Sequence, residues 1–186
     1  MDRRRLLMNA LAFPDNYLFK EGLGIKEELG YLFSAYSGSS ASLSKEEIYL
    51  RGGNETHGGI IFGENAKWVK GNYPDQTRYL FSDGLDLSEY KTLKVEMTCY
   101  SNTSRRHSIG ILNESSLNTN SPNGMGEEKI ATRRTGIFSK VADFYDTTET
   151  RQVYSLDISS FDKGTILIQS GDFSSTYARI HNIWLE

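Results

Sequence analysis

The most constraining feature of the sequence is a phrase that occurs twice, about seventy residues apart. Residues Leu85–Val95 (LDLSEYKTLKV) are echoed by residues Leu156–Ile168 (LDISSFDKGTILI). Each copy starts with an apolar-polar alternation, continues through a Ser-led turn that carries an aromatic residue, and ends in a second alternating segment. An alternation with a period of two is typical of a strand with one buried face. The repetition therefore predicts two equivalent edges of a β-sandwich.

Short strands are also predicted on both sides of the two copies. Strong β-formers and turn residues alternate from Tyr17 onward, and helical periodicity beyond Phe13 is limited to a weak segment over residues 20–29. The predicted strands are Tyr17–Phe19, Tyr31–Phe33, Glu47–Arg51, Gly59–Phe62, Thr77–Ser82, Thr92–Tyr100, His107–Leu112, Gly136–Val141, Val153–Ile158, Thr165–Gln169 and Tyr177–Leu185. This pattern predicts an all-β fold, a jelly-roll β-sandwich over residues 17–186. Residues 113–128 are predicted to form a long surface loop.

Composition narrows the class of protein further. A chain of 186 residues can bury a large core without a metal or a disulfide, and its single cysteine, Cys99, falls in an alternating strand pattern as a small buried hydrophobe. The formal net charge of −3 argues against a general nucleic-acid binder, whose footprint would be a basic face. No apolar run approaches the roughly 18 residues of a membrane span. We therefore expect neither nucleic acid nor a membrane-spanning segment among its interactions.

The first sixteen residues are predicted to be a separate N-terminal helix or arm. Asp2 is a suitable N-cap, apolar residues follow at helical spacing, and Phe13-Pro14 ends the segment. Arginines in a first helical turn oppose the helix dipole, so this helix needs a partner on which to pack. The predicted docking residues are Arg3, Arg4, Arg5, Leu6, Leu7 and Leu11, the arginines for carboxylates of the partner and the leucines for its apolar surface.

The sequence contains few signals of catalysis. His57, His107 and His181 are far apart and lack metal-ligand spacing, and none of the common nucleophile or phosphate-binding motifs occurs. A carboxylate pair for glycoside hydrolysis has no fixed spacing in sequence, and nothing singles one out. We therefore predict a protein that is not an enzyme, with no catalytic residue, cofactor or metal. His181, inside the last strand, is predicted to be structural.

Binding chemistry is better represented, in residues 65–78 between two predicted strands. Sugars present an apolar face and a polar rim, so their sites combine an aromatic platform with hydrogen-bonding side chains. The predicted glycan-binding residues are Trp68, Tyr73, Asp75 and Arg78. The alternative is structural: Trp68 covers the edge of the sandwich and Tyr73 packs beside it. Trp184 alternates with its neighbours Ile183 and Leu185, and is predicted to be a half-exposed cap or a contact to another subunit.

Two parts of the chain resemble known families. Residues 1–8 (MDRRRLLM) resemble the heads of small virion proteins in tailed phages and prophages of Gram-positive gut bacteria. Leu85–Val95, Leu156–Ile168 and the closing residues 178–185 (ARIHNIWL) resemble a galactose-binding-like or carbohydrate-binding-module jelly roll. The sequence lacks the calcium-binding signature of many such modules, and no ligand residue is carried over by motif.

The two resemblances together imply a structural or adhesion protein of a phage particle. Residues 1–16 would dock onto other virion proteins of the tail, baseplate or capsid, and the sandwich, as a homo-oligomer within the particle, would face host-surface glycans. Its location would then be the virion, after synthesis in the bacterial cytoplasm. The alternative hypothesis is a free-standing or cell-surface carbohydrate-binding module.

Overall fold

The computed structural model describes residues 16–22, 24–25, 40–54, 57–63, 67–70, 77–80, 84–101, 105–113 and 136–186, with backbone alone for 24–25, 67–70 and 77–80. The described residues form the following strands: β1 Tyr17–Lys20, β2 Gly24–Ile25, β3 Ser40–Leu43, β4 Ile48–Arg51, β5 Gly59–Phe62, β6 Lys67–Lys70, β7 Thr77–Leu80, β8 Leu85–Asp86, β9 Thr92–Tyr100, β10 His107–Leu112, β11 Phe138–Phe144, β12 Arg151–Asp157, β13 Lys163–Gly164, β14 Ile166–Gln169 and β15 Tyr177–Leu185.

The strands assemble into two main antiparallel sheets. The large sheet has seven strands in the order β12-β9-β15-β1-β2, and β4 joins it by pairing with β15 on one side and β3 on the other. The small sheet has the order β11-β10-β14-β5, and two further ladders pair β13 with β8 and β6 with β7. The long last strand, β15, is thus flanked by β9 on one side and by β4 and then β1 on the other.

The core lies between the inner faces of the two sheets. Val95 and Met97 of β9 are fully buried, and they belong to one apolar cluster with Ile109 of β10 and with Ile166 and Ile168 of β14. Fully buried and partly buried residues alternate along β9, because every second side chain points into this cluster. The prediction of an all-β sandwich is confirmed.

The outer faces of the two sheets differ in character. All residues of β5, β10 and β14 are buried, and Ile61, Leu112 and Leu167 form a second apolar cluster with Ile137. The outward-facing residues of β9 and β15 in the large sheet are instead polar or aromatic and partly exposed. The large sheet therefore provides the accessible face of the sandwich.

The two copies of the repeated phrase form the same turn. In the first copy Asp86 Oδ1 accepts hydrogen bonds from the backbone N–H and the hydroxyl of Ser88, at 3.0 and 2.7 Å. In the second, Asp157 Oδ1 accepts the same pair from Ser159, at 3.0 and 2.6 Å. These bonds to the ionised carboxylates hold the pKa of both aspartates below the usual range. The Asp-x-Ser triplet is thus the sequence signature of an Asx turn.

The copies are also bonded to each other reciprocally. The N–H of Leu87 donates to Asp162 O at 2.9 Å, and the N–H of Ile158 donates to Lys91 O at 2.8 Å. Leu87 and Ile158 hold the same place in the phrase, as do Lys91 and Asp162. From these turns β9 runs into the large sheet and β14 into the small sheet. The predicted equivalence of two sandwich edges is therefore present, with local twofold symmetry.

The predicted strands β9, β10 and β15 have the bounds expected from the sequence. Five strands were not among those predicted: the two-residue β2, β8 and β13 and the four-residue β3 and β6. The interpretation of residues 65–78 as a connection between strands is wrong, because 67–70 and 77–80 pair as a hairpin. β11 begins at Phe138 and continues to Phe144, later than predicted. The predicted N-terminal helix, the strand Tyr31–Phe33 and all but the first residue of the 113–128 loop lie outside the described residues.

Cys99 is fully buried in the core, as predicted. Burial raises the pKa of its thiol to about 12, so the reactive thiolate is absent at neutral pH. Within the residues that the structure describes, no helix has the length and apolar character needed to cross a membrane. In the same part of the chain, no three His, Cys, Asp or Glu side chains converge as a metal site would require.

Candidate functional site

The outward face of the large sheet gathers aromatic rings and charged groups along strand β15. Residues 177, 179, 182 and 184 are outward, and Ala178, Ile180, Ile183 and Leu185 are buried. A bulge at His181 shifts the register between Ile180 and Asn182. Because one extra residue reverses the inward-outward alternation, the bulge lets Tyr177 and Trp184 share a face although seven positions separate them.

One end of this face carries an aromatic pair, Tyr17 of β1 and Trp184 of β15. The two residues are register partners, and their rings stack with centroids 5.9 Å apart and planes 26° apart. The indole N–H of Trp184 donates to Glu186 at 2.8 Å, and the Lys20 ammonium lies 5.2 Å from the Tyr17 ring centre. The pair is therefore oriented by its neighbours, as a binding platform requires.

The other end carries a tyrosine cluster of Tyr49, Tyr100 and Tyr177. The Tyr177 ring lies between the other two, with centroid distances of 6.2 Å to Tyr49 and 6.3 Å to Tyr100. The Arg179 guanidinium lies over two of the rings, 5.8 Å from Tyr49 and 5.9 Å from Tyr177. Register partners on β15, β9 and β4 bring these residues together, so the cluster is a product of strand pairing.

A turn residue fixes the Tyr177 hydroxyl. Glu149 has a φ of 55°, in the left-handed region that residues other than glycine rarely adopt, and its carboxylate accepts the hydrogen bond of the Tyr177 hydroxyl. This hydrogen bond, together with burial, raises the pKa of Tyr177 to about 12. The phenol is therefore protonated at neutral pH and donates its hydrogen bond to Glu149. Backbone strain of this kind concentrates at sites where geometry matters.

Between the two ends lies a polar centre of Glu21, Glu96, Arg151 and Asn182. Arg151 donates to Glu96 through Nε at 2.9 Å and Nη2 at 3.0 Å, and through Nη2 also to Glu21 Oε2 at 2.8 Å. Asn182 donates from its amide to Glu96 Oε2. The hydrogen bond from Arg151 lowers the pKa of Glu96, so that carboxylate is ionised at neutral pH.

This arrangement can hold an extended polar molecule with apolar faces. Tyr177 and Trp184 are seven positions apart on one strand, which at the usual rise per residue is about 20 Å. Aromatic rings at both ends can stack against apolar faces, and the carboxylates, guanidinium and amide between them can bind hydroxyl groups. Proton donation is a poor fit, because a general acid needs a raised pKa and that of Glu96 is lowered.

The glycan-binding residues expected from the sequence are only partly placed. Trp68 lies in β6 opposite Tyr79 of β7, and Arg78 lies opposite Val69, so both belong to one hairpin. Tyr73 and Asp75 are outside the described residues. So are all six predicted docking residues, Arg3, Arg4, Arg5, Leu6, Leu7 and Leu11. These two sets remain predictions.

Two other predictions concern the face itself. Trp184 is half-buried while Ile183 and Leu185 are buried, which confirms its predicted orientation. His181 is mostly buried with Nε2 3.0 Å from Thr98 Oγ1, in agreement with a structural role. Sequence reasoning missed Tyr177 and Arg151. The alternation of buried and outward residues in β15 could have identified Tyr177 as an outward residue. Nothing near Arg151 in the sequence indicates that it contacts Glu21 or Glu96.

A separate cavity of about 230 Å³ lies beside the second copy of the repeated phrase. Ile111, Phe161, Lys163 and Gly164 are among its lining residues. Its volume is below the roughly 300 Å³ at which ligand pockets usually begin. The outward face of the large sheet is therefore the stronger candidate site.

Comparison with solved structures places the fold among carbohydrate-binding modules. A single-residue variant of a family 29 carbohydrate-binding module matches with a TM-score of 0.52 at 14% identity, over 90% of this chain and 86% of that one. A lysine-to-alanine variant made to probe ligand recognition by family 29 modules matches with a TM-score of 0.50 at 12% identity, over 91% and 89%. A family 29 module from Piromyces equi gives a TM-score of 0.49 at 10% identity, over 91% and 87%.

No family model matches the chain, and no curated protein matches it. The identities to the solved structures are low, so the likeness establishes the fold and leaves the ligand open. The predicted jelly-roll sandwich, like that of carbohydrate-binding modules, is confirmed. The matches do not bear on the predicted role in a phage particle.

Proposed function

We propose that this chain is a non-catalytic carbohydrate-binding module that binds a glycan chain along the outward face of its large sheet. The observation that carries the proposal is the order of groups along β15: the aromatic pair at one end, the polar centre, and the tyrosine cluster at the other end. The fold, which resembles that of family 29 modules, supports the same class of function.

The spacing of the aromatic groups favours a chain over a single sugar. The separation of about 20 Å between Tyr177 and Trp184 exceeds the size of one sugar ring, so a ligand that contacts both platforms must contain several linked units. Between them, the outward-facing side chains of β9 and β15 are partly exposed. The ligand would therefore lie along β15.

The charges of the polar centre favour binding without cleavage. Glu96 is held by two hydrogen bonds from Arg151 and one from Asn182, and Glu21 by one from Arg151. A hydrolase needs one protonated carboxyl group beside the scissile bond, whereas Glu96 is held ionised. These groups are suited to accept and donate hydrogen bonds to sugar hydroxyls.

The test is direct binding of soluble polysaccharides by the whole chain. Hydroxyethyl cellulose, glucomannan, xylan, pectin and a bacterial cell-wall polysaccharide are titrated by isothermal calorimetry and by affinity electrophoresis. For any that binds, Trp184→Ala and Tyr177→Ala should each weaken binding at least tenfold, since each removes one stacking platform worth about 1.4 kcal/mol or more. Tyr145→Ala is the matched control, because Tyr145 is an exposed aromatic outside the large sheet.

The proposal also predicts how affinity depends on the length of the bound oligosaccharide. Oligosaccharides of increasing length should gain affinity until they reach both platforms, and Trp184→Ala should remove the gain that comes from the longer ones. Polysaccharide binding that survives both Trp184→Ala and Tyr177→Ala would refute the face as the site. In that case Trp68→Ala tests the predicted hairpin site instead.

A place in a phage particle stays a prediction from residues 1–16. Its support is the resemblance of the basic, apolar head to virion proteins. Deletion of residues 1–13 tests it, because incorporation of the truncated protein into particles at normal levels would contradict docking through this segment. A free-standing module needs no such segment, so its glycan binding should survive the same deletion.

A further inference from the structure

His181 occupies an unusual position beneath the polar centre. It is the extra residue of the bulge in β15, and its side chain is 13% exposed. Nε2 lies 3.0 Å from Thr98 Oγ1, while Nδ1 is buried and has no hydrogen-bond partner in the part of the chain that the structure describes. A buried ring nitrogen without a hydrogen-bond partner costs free energy, so its presence here needs an explanation.

Glu21 is the group that Nδ1 faces. Its Oε2 lies 2.8 Å from Arg151 Nη2 and 4.0 Å from His181 Nδ1. The backbone of Glu21 is fixed, since its N–H donates to His181 O at 2.8 Å and to Asn182 Oδ1 at 3.2 Å. Rotation of the side chain by about 1 Å would bring Oε2 within hydrogen-bond distance of Nδ1. One carboxylate oxygen is thus placed between two possible donors.

We propose that Glu21 and His181 are positioning residues that set the orientation of Arg151 in the glycan-binding face. When His181 gains a proton, Nδ1–H competes with Arg151 Nη2 for Glu21 Oε2, and Arg151 keeps only its bonds to Glu96. The effect on binding rests on the proposed function, whereas the exchange of partners does not. The polar centre thereby responds to acidity without any change in the aromatic platforms.

Charged groups from four parts of the fold set the pH at which this exchange of partners occurs. Arg151 of β12 opposes a proton on His181, while Glu21 after β1, Glu96 of β9 and Glu47 before β4 favour it. Burial and the Arg151 charge outweigh the carboxylates and lower the pKa of His181. His181 is therefore neutral at pH 7, and the exchange belongs to mildly acidic conditions, below the ordinary histidine value of about 6.5.

The first experiment needs no glycan. Nitrogen-15 NMR of the whole chain follows the His181 imidazole and the Arg151 guanidinium between pH 8 and pH 4. We expect the Arg151 signals to move with the same midpoint as His181. In His181→Gln and Glu21→Gln the Arg151 signals should lose that transition. Glu47→Gln is the control: it removes a charge that faces His181 and should shift the shared midpoint while the two residues still titrate together.

The second experiment measures how protonation of His181 changes the affinity for a polysaccharide. For a polysaccharide bound at pH 7.5, we expect the wild-type affinity to fall about threefold or more at pH 5.0, and that of His181→Gln to change less than twofold. Arg151 signals that ignore the His181 titration would overturn the positioning role, even if glycan binds. Coupled titration with no polysaccharide bound would leave the positioning role standing and refute the proposed function. If His181→Gln fails to fold, the wild-type and Glu21→Gln titrations decide the matter.

Discussion

Acidification should destabilise the folded protein through a buried histidine, His107. The ring is 1% exposed and stacks on Phe144 at 5.6 Å. Its Nδ1 accepts the N–H of Gly171 at 3.2 Å, and its Nε2–H donates to Tyr100 O at 3.1 Å. Both nitrogens are thus occupied in the neutral form, and a second proton would displace the Gly171 donor. Burial lowers the pKa of His107 to about 4.

The size of the effect follows from linkage. In the unfolded chain a histidine has a pKa of about 6.5, so between about pH 6.5 and pH 4 the unfolded state binds more protons than the folded state. The contribution of His107 is therefore complete above about pH 6.5 and is lost as the pH falls through this window. At pH 5 the loss is about 2 kcal/mol, and it approaches about 3 kcal/mol below pH 4.

The carboxylates can be kept out of the measurement by choice of pH. Glu96, Asp86 and Asp157 have lowered pKa values, so their stabilisation is lost only as the pH falls below the unfolded values near 4. His181 shares the histidine window, because its pKa is also lowered. A variant of His107 alone is therefore needed to assign the change.

The assay is urea unfolding at pH 7.5 and pH 5.0, followed by tryptophan fluorescence, for the wild type and for His107→Gln. The variant loses stability at pH 7.5, because its amide cannot reproduce both ring hydrogen bonds. Its further loss between pH 7.5 and pH 5.0 should be smaller than that of the wild type by about 2 kcal/mol. Parallel losses in the two proteins would refute the assignment to His107.

Further predictions concern backbone approach, the repeated turns and local strain. Gly52→Ala should destabilise the fold by about 2 kcal/mol or more, since the new Cβ would lie 1.9 Å from Gly171 O, as urea unfolding will show. Leu87→Ala and Ile158→Ala should cost similar amounts, about 3 kcal/mol each, because both side chains are fully buried at equivalent places; clearly unequal losses would contradict their equivalence. Glu149→Gly should relieve the left-handed backbone yet weaken glycan binding, and gains in both stability and affinity would refute the anchoring role of its carboxylate.

Strands with one buried face are predicted from the sequence more accurately than the other strands. Thr92–Tyr100 and Tyr177–Leu185 alternate strictly over most of their length, and both were located to the residue. The strands Ser40–Leu43 and Lys67–Lys70 were missed, because serines and lysines carry little strand preference and these segments are short. Their pairing comes from neighbouring strands, which is information that a local pattern does not contain.

The site was harder to predict than the fold because its contacts are long-range. Arg151 and Glu21 are 130 positions apart in the chain, and Arg151 and Glu96 are 55 apart. No spacing rule connects such residues, and each of them alone reads as a solvated surface charge. The glycan-binding site was therefore predicted in residues 65–78, where aromatic and polar groups are adjacent in sequence. Adjacency in sequence is a poor guide in a sandwich, where neighbouring strands bring distant residues together.

The bulge at His181 is the local feature that joins the fold to the proposed function. In a regular strand, Tyr177 and Ile183 would share one face, and Trp184 would point into the core with Ala178. The extra residue reverses the alternation, so Ile183 and Leu185 complete the core opposite Val95 and Leu93 while Trp184 joins the outward face. A bulge costs ladder hydrogen bonds, and here its own side chain also keeps a buried nitrogen without a described partner. The same residue thus aligns the two aromatic platforms and lies beneath the polar centre between them. The bulge therefore serves both the core, by turning Ile183 and Leu185 inward, and the proposed binding face, by turning Trp184 outward.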